Sequence, residues 1–323
     1  MTGDATSEVV GDAAGDDTAG VAPVPTVAVV LVTHQTRGEA LGALDALEDD
    51  AALPPDTEVV VVDAGSTDGT VAAVRARRVR GRPVRVLPLA NTGFGRGANA
   101  GIRATTAPAV LVANADIRVA EGALAALLAV LDDDPGCAAV GPRVRYPSGA
   151  DQASARREQV PSTFLGHALL GRLRPDNRWT RRYHARDLPP ELPREVDWLS
   201  GCALLLRRSA VEAVGGFDPG YFLYVEDLDL GVRLRAAGWC LRYEPAAEVQ
   251  HRVGASTHRA RWSALVHHAR SLDRYHAARL HGPARLLRPL LPVGLAGWVA
   301  LTALTERRRP ERSTTGERSE ERS

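Results

Sequence analysis

The 323-residue sequence contains no lysine, so all 40 of its basic side chains are arginines. That absence removes Schiff-base and pyridoxal-phosphate chemistry, and with it the phosphate loop G-x-x-x-x-G-K-[ST], since each needs a lysine amine. Arginine's planar fork still suits diphosphates and anionic headgroups, which it binds bidentately. Cysteine is scarce as well. Cys137, Cys202 and Cys240 are far apart, odd in number and form no C-x-x-C, which fits a reduced, cytoplasmic chain rather than a disulfide framework. Aromatic residues make up 5% against 45% apolar and 24% charged, the composition of a soluble globular protein. The uncharged run 289–305 is broken by Pro292 and falls short of the roughly 20 residues a membrane-spanning helix needs. The N-terminus is acidic and rich in Gly, Ala and Asp, with neither the basic nor the apolar region of a signal peptide.

Charge is unevenly spread. Residues 1–25 carry −5, 26–258 carry −1, 259–312 carry +8 and the last eleven carry −1, for a net +1. A balanced body argues against a nucleic-acid binder. The composition predicts disordered tails at 1–25 and 306–323, one folded region at 26–258, and a basic helical segment at 259–305.

Between 27 and 144 short β-branched runs alternate with helical periodicity, the pattern of a mainly parallel α/β sheet covered on both faces. Strands are expected at 27–33, 58–63, 84–89, 109–113 and 138–144, with helices at 39–49, around 71–74, from Gly93, and at 121–132. Residues 145–195 lose this rhythm and read as a substrate-facing insertion. Regularity returns with a strand at 198–207, helices at 209–214 and 226–237, and a strand at 240–243. After 258 one apolar stripe of Trp262, Leu265, Val266, Ala269 and Leu272 predicts a helix.

Ligands of open α/β sheets bind beyond the carboxyl ends of the strands, where Thr33-His34, Asp63, Asn91 and Asp116 fall. Asp63 opens DAGSTDGT; Ser66 or Asp68 suffices to cap the next helix, which leaves Asp63 for a ligand. The run Asn91-Thr-Gly-Phe-Gly-Arg-Gly-Ala-Asn99 places glycines at a strand-to-helix junction, where they permit close approach to a phosphate or tight helix packing. The G-x-G-x-x-G fingerprint of a dinucleotide-binding oxidoreductase is missing after the first strand. Asp116 ends the buried strand VLVANAD, and a divalent cation is one way to answer a carboxylate placed there. Glu226, Asp227 and Asp229 cluster at a helix start after an aromatic run. Acids are favoured there by the helix dipole, yet three exceed what a cap requires, and one can serve as a base. His251 follows the last strand without a helical stripe around it, and the later histidines suit a surface helix better than a zinc site.

Taken in order, VAVVLVTH, VVVVDAGSTDGT, NTGFGRGANAGI, VLVANAD and the run from DWLSG through GGFDPGYFLYVEDLDLG resemble the motifs of family-2 inverting glycosyltransferases of the GT-A fold. The resemblance spans about residues 27–258. Within the family the chain is most similar to actinobacterial rhamnosyltransferases acting on polyprenyl-diphosphate-linked GlcNAc, through WLSG, the RRSA–GGFD–YF–EDLDLG run and the long C-terminal extension. It implies a Rossmann-like mixed sheet flanked by helices, followed by a helical extension. It also implies that Thr33 and Asp63 hold the nucleotide base, that Asn91, Gly93 and Asn99 line the nucleotide, and that Asp116 binds Mg²⁺ or Mn²⁺ with His251 completing the site. Asp227, beside Glu226, matches the general base, and Trp198 with Gly201 lies near the acceptor. Ala115 and Ala64 depart from the family pattern, leaving one certain carboxylate at the metal.

The implied reaction moves a sugar from a nucleotide diphosphate, dTDP-rhamnose or a UDP-sugar, to a glycan or lipid-linked hydroxyl in cell-wall polysaccharide assembly. Asp227 takes the proton and the metal stabilises the departing diphosphate. A non-catalytic sugar-nucleotide binder would be expected to lose Asp116 or Asp227, and both are present. The basic C-terminal segment suggests a peripheral contact with anionic lipid on the inner face of the cell membrane; helices packing on the domain, or on a second copy in a homodimer, are the alternative.

Overall fold

Residues Val27–Thr33, VAVVLVT, are β-branched or apolar almost throughout and form strand β1 at the centre of the sheet, buried on both faces. The computed structural model describes residues 24–158, 170, 174, 176–183, 189–252, 261–280 and 282–307. Helix α1 (Arg37–Asp49) follows, then β2 (Glu58–Ala64), α2 (Thr70–Arg75), β3 (Arg85–Leu89), α3 (Phe94–Arg103) and β4 (Ala109–Asn114). Next come β5 (Ile117–Val119), α4 (Ala123–Asp133), β6 (Cys137–Arg145), β7 (Asp151–Gln152), β8 (Ala155–Arg156) and α5 (Arg178–Tyr183). Strands β9 (Arg194–Glu195), β10 (Trp198–Leu199) and β11 (Ala203–Arg207) lead to α6 (Arg208–Ala213), α7 (Glu226–Ala236) and β12 (Cys240–His251). Helices α8 (Arg261–Arg279) and α9 (Leu290–Arg307) complete the described chain.

The main sheet has ten strands, eight of them in the order β9-β12-β6-β11-β4-β1-β2-β3, with β5 against β12 and β7 against β6. The pairs β1/β2, β1/β4, β2/β3 and β12/β6 are parallel, while β11 runs antiparallel between β4 and β6. The sheet is therefore mixed and mainly parallel, as expected from the sequence. One apolar layer joins it to α1 and α4, and a second joins it to α3, α6 and α7. Burial on both faces explains why the strands read as continuous apolar runs.

Several elements differ from the sequence reading. The stretch 198–207 is two strands, because the chain turns at Ser200-Gly201-Cys202 between them. The last strand continues to His251 instead of stopping at 243. A register shift between Glu244 and Glu248 absorbs Pro245, and pairing with β6 resumes beyond it. His251 therefore ends a strand rather than following one. In α8 the buried face is Ser271, Leu272, Tyr275 and His276, while Trp262 and Val266 are exposed. Val266 and Ala269 turn instead toward an open apolar groove shared with α9, so the expected stripe faces two environments. Helix α9 runs on through Arg307, past the proposed boundary at 305. The tails expected at 1–25 and 306–323 fall mostly on residues outside those described. No described helix is long and apolar enough to cross a membrane.

Candidate active site

A cavity of about 430 Å³ opens at the carboxyl ends of β1, β2 and β4, where the topology of an open α/β sheet places ligands. Thr33, Asn91, Gly93, Asp116 and His251 all line it. Thr33 is buried, and its hydroxyl meets that of Thr36 at 2.8 Å. Gly93 (φ +107°) lets the start of α3 approach another segment: a Cβ there would collide with the Phe222 carbonyl, which accepts the Phe94 N–H at 3.1 Å.

The registers explain why Asp116 and His251 meet. Strand β5 begins one residue after Asp116 and pairs Ile117 with His251, which brings His251 Nε2 to 3.1 Å from Asp116 Oδ1. His251 Nδ1 lies 3.0 Å from Gln152 Oε1; if it donates there, Nε2 carries the lone pair. That lone pair then faces a buried Asp116 oxygen that accepts no hydrogen bond. Two electron-rich atoms at this distance require a cation or a proton between them. The pair thus fits a divalent ion held by one carboxylate and one imidazole, with the imidazole oriented by Gln152. Among the described residues no group of three or more potential ligands comes together, so an ion held by this pair would take its remaining ligands from donor phosphates or water.

Asp63 does not line the cavity, although its neighbour Ala64 does. Its Oδ2 accepts the Ser66 N–H at 2.9 Å and its Oδ1 is buried without a partner. The N-cap of α2 is Gly69, and Asp68 just before it accepts the N–H of Thr70, the first helical residue, at 3.1 Å. Asn99 also stays out of the cavity. Its amide clasps Phe217, accepting the N–H at 2.9 Å and donating to the carbonyl at 2.7 Å. It latches α3 to the Gly215-Gly216-Phe217 turn.

The three acids of α7 occupy different environments. Asp229 is ion-paired to Arg233 at 2.7 Å and to Arg279 of α8 at 3.3 Å, so it ties two helices together. Glu226 is 6% exposed, and burial, with the charge of neighbouring Asp227, raises its carboxyl well above the usual carboxylate range. Asp227 is half-buried. Burial raises its carboxyl too, opposed by the N–H groups of Gly201 (2.7 Å) and Leu228 (2.8 Å) and by the charge of Arg156. Of the pair, Asp227 is the one equipped to carry the negative charge. The chain enters α7 through Tyr224 (φ +65°) and Val225 (φ +73°), a left-handed turn that is costly for a β-branched residue. Trp198 is buried against α7, under the guanidinium of Arg156.

Other residues line the cavity beside those given a role above. His34, whose Nδ1 lies 2.7 Å from the Ala64 carbonyl, shares the strand end with Thr33. Phe222, Ser263 and His267 close the cavity from the far side, with the rings of Phe222 and His267 stacked at 4.3 Å. The aromatic run before Glu226 marks Phe222; only the tertiary packing of α8 reveals His267.

This fold and strand-end cavity define a glycosyltransferase of the GT-A type. The model of the family described as "Glycosyl transferase family 2" matches residues 28–215, and the chain belongs to that family. Over 238 residues, 69% of this chain and 76% of the relative, it is 42% identical to the N-acetylglucosaminyl-diphospho-decaprenol L-rhamnosyltransferase of Mycobacterium tuberculosis. It is 40% identical over 84 residues, 26% of this chain and 32% of the relative, to the rhamnosyltransferase WbbL of Escherichia coli. Among solved structures, the mannosyltransferase PcManGT of Pyrobaculum calidifontis, in complex with GDP-Man and Mn²⁺, superposes with a TM-score of 0.56 at 20% identity. That superposition covers 88% of this chain and 76% of the other.

Proposed function

We propose that the chain transfers rhamnose from dTDP-rhamnose, with inversion, to a hydroxyl of polyprenyl-diphosphate-linked N-acetylglucosamine. The substrates follow the name of the mycobacterial relative; a UDP-sugar donor is the alternative that the same cavity accommodates. The observation that carries the transfer chemistry is the buried Asp116 Oδ1 facing His251 Nε2 at 3.1 Å beneath the strand-end cavity. Mg²⁺ or Mn²⁺ bound there supplies positive charge to the departing diphosphate.

The chain's own residues supply the rest. Thr33, Asn91 and Gly93, which line the cavity, lie against the nucleotide. Asp227, held by two backbone N–H groups, accepts the proton of the acceptor hydroxyl as that oxygen bonds to the anomeric carbon. The bond from that carbon to the diphosphate oxygen breaks in the same displacement, so the anomeric centre inverts. Gly201 fixes the carboxylate by its N–H and leaves room beside it, since a Cβ there would meet Asp227 Cβ at 3.2 Å.

Calorimetry tests the donor half: dTDP or UDP should bind with Mn²⁺, and Asp116→Ala should weaken that binding about ten- to a hundredfold while leaving metal-free binding unchanged. Metal-independent binding by both proteins overturns the metal site. The exposed Leu286, Leu290 and Val293 lie among exposed Arg285 and Arg288, a combination suited to a peripheral contact with anionic lipid. Replacing the three apolar residues by serine should abolish co-sedimentation with phosphatidylglycerol vesicles; undiminished binding rules the contact out.

A further inference from the structure

The acceptor side contains an arginine, Arg156, that forms no ion pair among the described residues. Arg156 stands in β8 directly opposite Trp198 of β10. Its Nε donates to the Ala153 carbonyl at 3.1 Å, and its guanidinium carbon lies 5.2 Å from the centre of the Trp198 ring. The acids nearest it along the two strands, Glu158 and Asp197, are engaged by Arg235 at 3.5 and 3.1 Å. Among the described residues Arg156 has no carboxylate within ion-pair distance, whereas Arg143, Arg233, Arg235 and Arg242 each have one. Its field nevertheless reaches Asp227 and His268. His268 is itself held neutral, pushed down to about 4 by burial and by that same charge.

We propose that Arg156 binds the diphosphate of a diphosphate-linked acceptor, with Trp198 as the platform that orients its guanidinium. This rests on the acceptor reading above. When the hydroxyl of the acceptor sugar sits at Asp227, the phosphate on that sugar's anomeric oxygen lies across the ring from it. Arg156 stands opposite Trp198 on the short strand pair that leads directly into Gly201, whose N–H holds Asp227, and this places its cation beside the acceptor sugar's phosphate. With Nε bound to the chain, Nη1 and Nη2 remain for phosphate oxygens, the fork that arginine offers and lysine does not. Trp198 is locked by its own indole N–H, which donates to the Arg157 carbonyl at 3.0 Å, and its face favours the guanidinium lying over it. The proposal turns the irregular stretch after β6 into an element of acceptor selection.

The test is steady-state kinetics of the full chain with dTDP-rhamnose and two acceptors, farnesyl-diphosphate-linked N-acetylglucosamine and the neutral octyl glycoside of the same sugar. The wild type should favour the diphosphate acceptor. Arg156→Gln should raise KM for it about ten- to a hundredfold, change kcat by less than about twofold, and erase the preference over the neutral glycoside. Arg156→Lys, keeping charge without the fork, should recover part of the loss, and unchanged dTDP affinity in both variants reports an intact fold. A fall in kcat with KM unchanged, or an equal loss on both acceptors, overturns the proposal and makes Arg156 a modulator of Asp227. Equal use of both acceptors by the wild type also overturns it. Failure of the wild type to use either acceptor, with any nucleotide sugar tried, overturns the acceptor reading instead.

Discussion

The two sides of the site are held in place by different physical means. On the donor side, Thr33, Asp116 and His251 are fixed by strand registers: Thr33 by β1 against β2, and the Asp116–His251 pair by β5 against β12. On the acceptor side Asp227 stands on the first turn of α7, entered through two left-handed residues and secured by individual bonds from elsewhere. The Phe94 N–H holds the Phe222 carbonyl at 3.1 Å, and the Ser271 hydroxyl of α8 holds that of Leu223 at 2.9 Å. A sheet register shifts only as a unit, whereas a strained turn depends on each of its straps. The donor side is thereby built for rigidity, and the acceptor side can be loosened one contact at a time.

The sharpest break of this contrast separates the two neighbouring acids. Asp227→Asn should lower the transfer rate about a thousandfold while leaving nucleotide affinity unchanged, because the amide keeps the shape but cannot take the proton. Glu226→Gln should retain most of the activity, since glutamine mimics the neutral form that burial favours at Glu226. Full turnover by Asp227→Asn, or loss in Glu226→Gln equal to it, would reverse the assignment; rapid-quench measurement of single turnovers reads both.

A smaller effect is expected from the strap. Ser271→Ala leaves the Leu223 carbonyl without its side-chain donor, a loss of about 1 kcal/mol. If that energy is spent holding the turn before α7, the transfer rate should fall roughly fivefold with donor affinity unchanged. A drop in donor affinity instead would mean that α8 braces the nucleotide cavity, where His267 lies, more than the base.

The difference in construction also governs what the sequence revealed. The donor side was legible because strands buried on both faces advertise their ends: VAVVLVT, EVVVVD and VLVANAD each run straight into a polar residue. The meeting of Asp116 with His251 was not readable from spacing, because it depends on a strand that bends through Pro245 and keeps pairing afterwards. Gln152 and Arg156 lie in a stretch without hydrophobic period, on strands two residues long that exist only through their partners. What separates Asp227 and Asp229 from Glu226 includes contacts from Gly201, Arg156 and Arg279, none of them close in sequence.

Asn99 gives the smallest and most discriminating effect, because the family resemblance places it along the nucleotide while the geometry engages it with Phe217. Both polar ends of its amide are used on one backbone residue, and the missing Cβ of Gly216 is what lets the amide come this close to the turn. Asn99→Ala should therefore destabilise the fold by about 1–3 kcal/mol, the cost of unpairing two backbone groups at a packed turn, with donor KM unchanged below the melting transition. Asn99→Asp sharpens the result: its carboxylate can still accept from the Phe217 N–H but cannot donate to the carbonyl, so it should recover only part of the stability. A rise in donor KM in both variants at a temperature where both remain folded would place Asn99 on the nucleotide after all. In that case α3 would contribute to donor binding along its length rather than only through its first turn.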